Sequence, residues 1–157
     1  MSVSYYLDTS ALVKLYHQEA GTEQVEALFK QSDSILVVSE LAEVELYSTL
    51  ARKVRAGEID EAAFEEVIKN FDDDCERRFV VQPLSTMVTQ KARELLQQYG
   101  KIKSLRSLDA LHLGACSTAL AEAPLIFVSS DSRLLVVATL EGHAILNPEI
   151  ASESQSK

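Results

Sequence analysis

Short β-branched or aromatic runs alternate with helical segments along almost the whole of this chain, and that alternation restricts its fold more than any other feature. Strands are expected over residues 3–7, 35–38, 79–81 and 125–128, with a weaker one over 144–146. Helices are expected between them, over 10–17, 22–30, 40–56, 61–72, 86–99, 108–122 and 133–141. Strands separated by helices rather than by two-residue turns must run parallel, because a parallel connection needs a long crossover. The pattern therefore predicts a parallel sheet flanked by helices. Punctuation agrees with these bounds: Gly57 follows a helix, Asp60 can cap the next, and Pro83, Gly100 and Pro124 separate elements. The segment 108–122 is apolar nearly all round apart from Asp109, His112 and a few Ser/Thr, which predicts a buried central helix.

Nothing along the chain divides it. Its 157 residues suit one domain, expected over 1–150, with a polar tail at 151–157 that is expected to fray. At 46% hydrophobic it can bury a substantial core. A formal net charge of −9 argues against a broad electrostatic coat for nucleic acid, though not against a local basic patch. Cys75 and Cys116 form no CxxC and join no Cys/His cluster, so neither zinc nor a disulfide framework is indicated. No apolar run is long enough to span a bilayer, and the N-terminus lacks the features of a signal peptide. A soluble, cytoplasmic protein is the expectation.

The chemistry lies in the acids. Asp8 closes the first apolar run, Val3-Ser4-Tyr5-Tyr6-Leu7, just before a helix start. In open parallel sheets, chemistry gathers at the carboxyl ends of strands. Asp131 follows the run Ile126-Phe127-Val128 and precedes another helix. Asp109 opens the apolar helix, where a charge is costly to bury without a partner, such as Arg106 or a metal. Each of the three has an ordinary alternative as a helix N-cap or first-turn acid. Thr9 and Ser10 could cap the helix after Asp8, and Ser107 could cap the one carrying Asp109. Recurrence favours a shared role: three element ends on one side of a parallel sheet each carry an Asp. Clustered carboxylates raise one another's pKa unless a cation neutralises them, so a divalent-metal site is expected.

A fourth acid belongs to the helix 40–56, but its identity stays open on the pattern alone. The apolar face there comprises Ala42, Val44, Leu46, Tyr47, Leu50, Ala51 and Val54. Glu45 lies on the opposite stripe with Ser48 and Arg52 and reads as solvated, whereas Glu43 falls within the apolar face; the wheel does not choose among Glu40, Glu43 and Glu45. The run Asp72-Asp73-Asp74 reads as a solvated helix end, and His112 as a satisfied core histidine.

Four motifs in order resemble the PIN domain family, most closely its VapC-type toxin branch. They are Tyr5-Tyr6-Leu7-Asp8-Thr9-Ser10-Ala11-Leu12, Glu45-Leu46-Tyr47-Ser48-Thr49-Leu50-Ala51-Arg52, Leu105-Arg106-Ser107-Leu108-Asp109-Ala110-Leu111-His112-Leu113 and Phe127-Val128-Ser129-Ser130-Asp131-Ser132-Arg133-Leu134, with Asn147-Pro148 closing the domain. The resemblance selects Glu45 in the second motif. It implies a three-layer α/β/α sandwich around a central parallel sheet. It implies that Asp8, Glu45, Asp109 and Asp131 share one pocket and act as a divalent-metal ribonuclease. It also implies toxicity on expression and a small VapB-like antitoxin partner; a homodimer is expected as well.

On that reading the hard oxygen donors suit Mg²⁺ or Mn²⁺. Asp8, Asp109 and Asp131 are the expected ligands, Asp8 central among them, with Glu45 completing the shell or orienting the attacking water. Thr9, Ser10 and Ser129 would hydrogen-bond the ligating carboxylates. Arg52, Lys103 and Arg106 would face RNA phosphates. Two other readings remain: an aspartyl-phosphate enzyme with Asp8 as nucleophile, disfavoured because Ser10 stands where a phosphatase of that kind has a second Asp, and a non-catalytic acidic pocket for a basic peptide. Metal-dependent RNA cleavage separates them.

Overall fold

The computed structural model describes residues 2–150; the tail at 151–157 lies outside the described residues. Five strands, β1 (Ser4–Leu7), β2 (Ile35–Ser39), β3 (Phe79–Gln82), β4 (Ile126–Val128) and β5 (Ile145–Leu146), form one sheet in the order β3-β2-β1-β4-β5. Every pairing is parallel. Helices α1 (Thr9–Leu12), α2 (Thr22–Lys30), α3 (Glu40–Arg55), α4 (Glu61–Arg77), α5 (Thr86–Tyr99), α6 (Ser107–Thr118) and α7 (Ser132–Leu140) connect them, with a 3₁₀ turn at Val13–Leu15 after α1.

Strand alternation explains the layers. Side chains of successive strand residues point to opposite faces. Tyr6, Val37 and Phe127 pack on one face against residues of α5, α6 and α7, among them Val88, Leu95, Leu113 and Leu134. Tyr5, Leu7, Leu36, Val38 and Val128 pack on the other with Leu12, Val25, Leu46, Leu50 and Phe71 of α1 to α4. Each fully buried Leu or Phe contributes about 1.5–3 kcal/mol. The three-layer α/β/α sandwich is thus built from a sheet that is apolar on both sides.

The order of the strands places the functional edge. The chain steps outward from β1 to β2 and β3, then returns to the other side of β1 as β4. The crevice between the carboxyl ends of β1 and β4 is the point where the winding reverses, which is where open α/β sheets hold their ligands. Asp8 follows β1 there, and its N–H donates to Val128 O at 3.1 Å across the crevice.

Several expected bounds change. The first helix ends as an α-helix at Leu12 and tightens into the 3₁₀ turn, so it is shorter than 10–17. Helix α4 runs on to Arg77 instead of ending at Asp72, because Phe71 is buried and Asp74 accepts a hydrogen bond from Tyr16 Oη at 2.6 Å. Asp74 is therefore not part of a solvated terminus. Helix α6 stops at Thr118, whose hydroxyl donates back to Gly114 O, and the next residue is extended; Leu120 beyond it is fully exposed. Within α3, Val44 and Tyr47 are exposed rather than part of the buried face, which consists of Leu41, Ala42, Leu46 and Leu50. Gly114 marks the tightest helix packing: a Cβ there would meet Val88 O at 2.8 Å and Ala92 N at 3.3 Å, so α5 and α6 touch backbone to backbone.

Candidate active site

Asp8 is itself the N-cap of α1, in extended conformation, and its Oδ1 accepts from Ala11 N at 3.0 Å. This differs from the expectation that Thr9 or Ser10 would supply the cap. Ser10 Oγ instead donates to the same Oδ1 at 2.6 Å. Asp8 is 4% exposed. Burial pushes its carboxyl above the usual range, against the opposing pull of His112, the Ser10 and Ser129 hydroxyls and the Ala11 amide.

From Asp8 a hydroxyl chain leads to the third and fourth motifs. Ser10 Oγ accepts from Ser130 N at 3.0 Å and lies 3.4 Å from Ser129 Oγ. Ser129 Oγ accepts from Asp131 N at 3.0 Å. Asp131 caps α7, taking Arg133 N at 3.0 Å and Leu134 N at 3.3 Å on Oδ1. Its Oδ2 lies 3.6 Å from Arg106 Nη2, and Arg106 Nε donates to Asp109 Oδ2 at 3.1 Å. Arg106, not Ser107, occupies the N-cap position of α6, and its backbone N–H also donates to Asp109 Oδ2. One exposed guanidinium thus ties Asp109 to Asp131.

Glu45 sits on the other side of Thr9. Its Oε1 accepts from Thr9 Oγ1 at 2.9 Å and lies 2.6 Å from His112 Nε2. Burial pushes its carboxyl up, but the His112 hydrogen bond, the electrostatic pull of that imidazole and the Thr9 hydroxyl outweigh it and hold the group below its usual range. Glu45 is therefore not a solvated residue of α3: the flank of the helix meets the start of α1 and one face of α6. Glu43, by contrast, is pushed up by burial and by the neighbouring charges of Glu40 and Asp72, away from this edge. Glu40 is spent on Leu84 N at 2.8 Å.

Two adjoining clefts share Ser130. One, of about 370 Å³, is lined by Thr9, Ser10, Glu45, Arg52, Lys53 and Lys14 among others. The other, of about 460 Å³, is lined by Arg106, Asp109, Asp131 and Arg133 with neighbouring serines. Ser130 Oγ is buried there without a hydrogen-bond partner among the described residues. Of the basic residues, Lys14 is buried and spent on Glu19 and Glu149, and Lys53 pairs with Glu58. Arg52 lines the cleft with no ion pair among the described residues. Lys103 is exposed on the loop before α6. Sequence reasoning missed His112, Lys53 and Arg133 here. The signal for His112 was its place one turn after Asp109, on the same helix face.

The donor set has a common form. In all four carboxylates the anchoring hydrogen bonds fall on a single oxygen: Oδ1 of Asp8 and Asp131, Oε1 of Glu45 and Oδ2 of Asp109. The second oxygen of Asp131 is not idle, since Arg106 Nη2 lies 3.6 Å from it; a hard cation or water there would have to displace that guanidinium. Among the described residues, no three His, Cys, Asp or Glu side chains stand close enough to grip one ion together. The expected convergence of all four acids on one ion is therefore not present among the described residues: Glu45 lines one cleft, and Asp109 and Asp131 line the other. Both cysteines are free, and burial, joined at Cys75 by nearby acids, pushes each thiol up to about 12, which disfavours the reactive thiolate.

A doubly wound parallel sheet with Asp8 at the β1/β4 crevice defines an α/β protein whose candidate site lies at its topological switch point. The chain belongs to the PIN domain family, whose model matches residues 5–140. No curated protein sequence matches it. Solved structures of the same fold include PAE2754 from Pyrobaculum aerophilum, at 22% identity and a TM-score of 0.63, covering 94% of this chain and 85% of that one. VapC20 from Mycobacterium tuberculosis, a Sarcin-Ricin loop cleaving toxin, is 13% identical with a TM-score of 0.67, covering 94% of this chain and 99% of that one. VapBC2 from Rickettsia felis, bound to a DNA fragment from its promoter, is 19% identical with a TM-score of 0.61, covering 92% of this chain and 98% of that one.

Proposed function

We propose that this protein is a divalent-metal-dependent endoribonuclease and the toxin of a toxin–antitoxin pair. The observation that carries this reading is Asp8, a carboxylate buried at the switch point of a PIN-family sheet and linked through Ser10 and Ser129 to Asp131, with Glu45 held by the neighbouring Thr9. Burial raises the Asp8 pKa despite its hydrogen bonds from Ser10 and Ala11, and a bound cation would favour the ionised form. The RNA-cleaving activity of VapC20 and the VapBC complex of Rickettsia felis support the choice of substrate and partner.

Asp8 would be the central ligand of Mg²⁺ or Mn²⁺, and Asp109 and Asp131 would join it only once Arg106 releases them and their side chains move inward. Such an ion, when bound, supplies an acidified water and charge to stabilise the phosphoryl oxygens. Glu45, ionised and pinned through Oε1, orients the attacking water with Oε2. Thr9 and Ser10 fix the rotamers of Glu45 and Asp8, and Ser129 steadies the backbone of Asp131. Arg52 and Lys103 would meet RNA phosphates, and Arg106 would do so once released from Asp109 and Asp131. This local basic rim reconciles RNA binding with a net charge of −9. The partner would be a small VapB-like antitoxin that blocks the clefts with a basic side chain, charge-matched to the four acids. A homodimer in the cytoplasm completes the proposal; among the described residues, no helix is long and apolar enough to cross a membrane.

Controlled expression in a bacterial host tests this. The wild-type chain should arrest growth and fragment cellular RNA, and Asp8→Asn at equal expression should do neither. A toxic Asp8→Asn protein would show that the site is misassigned.

A further inference from the structure

His112 is 3% exposed, and all its polar contacts lead to the site or its support. Its Nδ1 lies 2.8 Å from Tyr6 Oη, and its Nε2 lies 2.6 Å from Glu45 Oε1 and 3.2 Å from Thr9 Oγ1. Tyr6 is fully buried in the central strand, stacked on Phe127 with ring centroids 5.5 Å apart. A buried phenol must place its proton on an acceptor, and in the neutral imidazole Nδ1 is that acceptor. The ring proton then belongs on Nε2, which can only donate, and the carboxylate of Glu45 is its acceptor. The phenol thus selects the tautomer, and the tautomer orients the acid.

Glu45 needs such a hold. It comes from the flank of α3, with 24% of its side chain exposed, and it has three rotatable bonds to the carboxylate. Satisfying His112 would have required only Tyr6 and any nearby acceptor. Instead, its second nitrogen and Thr9 both converge on Oε1 of a residue that lines the cleft, and Oε2 takes no hydrogen bond among the described residues.

We propose that His112 is a positioning residue of the nuclease: through Nε2–H it fixes Glu45 in one ionised rotamer, and Tyr6 fixes the tautomer that makes this possible. The inference rests on the proposed function and deepens it, because it names a residue that acts on catalysis only through Glu45.

Two substitutions separate positioning from packing. His112→Gln retains an N–H donor near the place of Nε2, whereas His112→Asn can keep an acceptor for the Tyr6 hydroxyl near the place of Nδ1 and has no donor that reaches Glu45. His112→Asn should lower kcat roughly 10–100-fold with little change in KM for a short RNA, as the loss of a residue that orients a reacting group does. His112→Gln should recover most of that loss. In a Glu45→Gln background, His112→Asn should cost nothing more, since its only route to the chemistry is gone. A second readout is independent of activity: in ¹⁵N-histidine NMR of the metal-free protein, Nε2 should carry the proton and Nδ1 should not, and Tyr6→Phe should release that preference.

An active wild type whose His112→Asn and His112→Gln variants lose equally, or whose losses add to Glu45→Gln, would overturn the inference and leave the proposed function standing. A proton on Nδ1 would overturn it as well. A wild type that cleaves no RNA would instead sink the proposed function itself, taking the catalytic role of His112 with it.

Discussion

Gly114→Ala is a small change with a calculable outcome. In a helix interior, Ala is favoured over Gly by about 1 kcal/mol. Against that stands the close approach: the new Cβ would lie 2.8 Å from Val88 O and 3.3 Å from Ala92 N on α5. The first distance is short of ordinary contact by roughly half an ångström. Both atoms are backbone, so no rotamer change relieves the clash, and α6 must back away from α5. Overpacking of this kind costs about 1–3 kcal/mol, and a clash with backbone that no rotamer relieves belongs in the upper part of that range, about 2–3 kcal/mol. The net effect is a destabilisation of about 1–2 kcal/mol, because the propensity gain is the smaller term. For a chain of this length, each kcal/mol lowers Tm by about 2–4 °C, so the expected fall is about 2–8 °C by calorimetry or circular dichroism. Activity should fall further than stability at the assay temperature explains, because α6 carries Asp109 and His112. An unchanged or higher Tm would refute the reasoning, since it would mean that α5 yields freely and that the close packing does not position α6.

The other predictions concern the acids and the basic rim. Without metal, Asp8→Asn should be more stable than the wild type near neutral pH: burial raises the Asp8 pKa, so this group's contribution is complete below its unfolded pKa of about 4 and is lost as pH rises through the higher folded value. Asn caps helices as well as Asp does, so the cap is kept, and melts from pH 4 to 8 should show the gap between the two proteins widening; a constant gap would contradict the linkage. Glu45→Gln should damage cleavage far more than Glu43→Gln or Glu40→Gln, and the reverse order would place the second motif in the wrong register. Arg52→Ala should weaken RNA binding and flatten its salt dependence by about 0.7 in the log–log slope for each phosphate that Arg52 neutralises; an unchanged slope would remove Arg52 from the RNA interface.

Much of this fold was legible because periodicity and burial agree. Runs such as Ile35-Leu36-Val37-Val38 are apolar on both faces and fit only the middle of a covered sheet, as β2 shows. Errors arose where tertiary contacts override local preference. Nothing near Asp72 announces that Tyr16 will hold Asp74 and prolong α4, and the alanines after Thr118 suit a helix that has no surface to pack against. The acids were legible as a set but ambiguous singly, because capping and metal binding ask for the same residue in the same place. Asp8 and Asp131 in fact both cap a helix through Oδ1, and Asp131 turns its other oxygen to Arg106. Glu45 was obscured because a helical wheel assumes a single partner face, while the flank of α3 meets both α1 and α6. His112 was passed over because an apolar setting says that a histidine is buried and not what it touches.

The central claim is hydrolysis of RNA at these carboxylates with a divalent ion, and the ends of the cleaved RNA test it most directly. Protein stripped with EDTA should leave a short labelled RNA intact, and Mg²⁺ or Mn²⁺ should restore cleavage in the wild type but not in Asp8→Asn. Attack by water leaves no cyclic phosphate, so mass spectrometry of the products should show only linear phosphate and hydroxyl termini. Cleavage that persists in EDTA, or products ending in 2′,3′-cyclic phosphate, would contradict the account, because the neighbouring hydroxyl rather than water would then be the nucleophile.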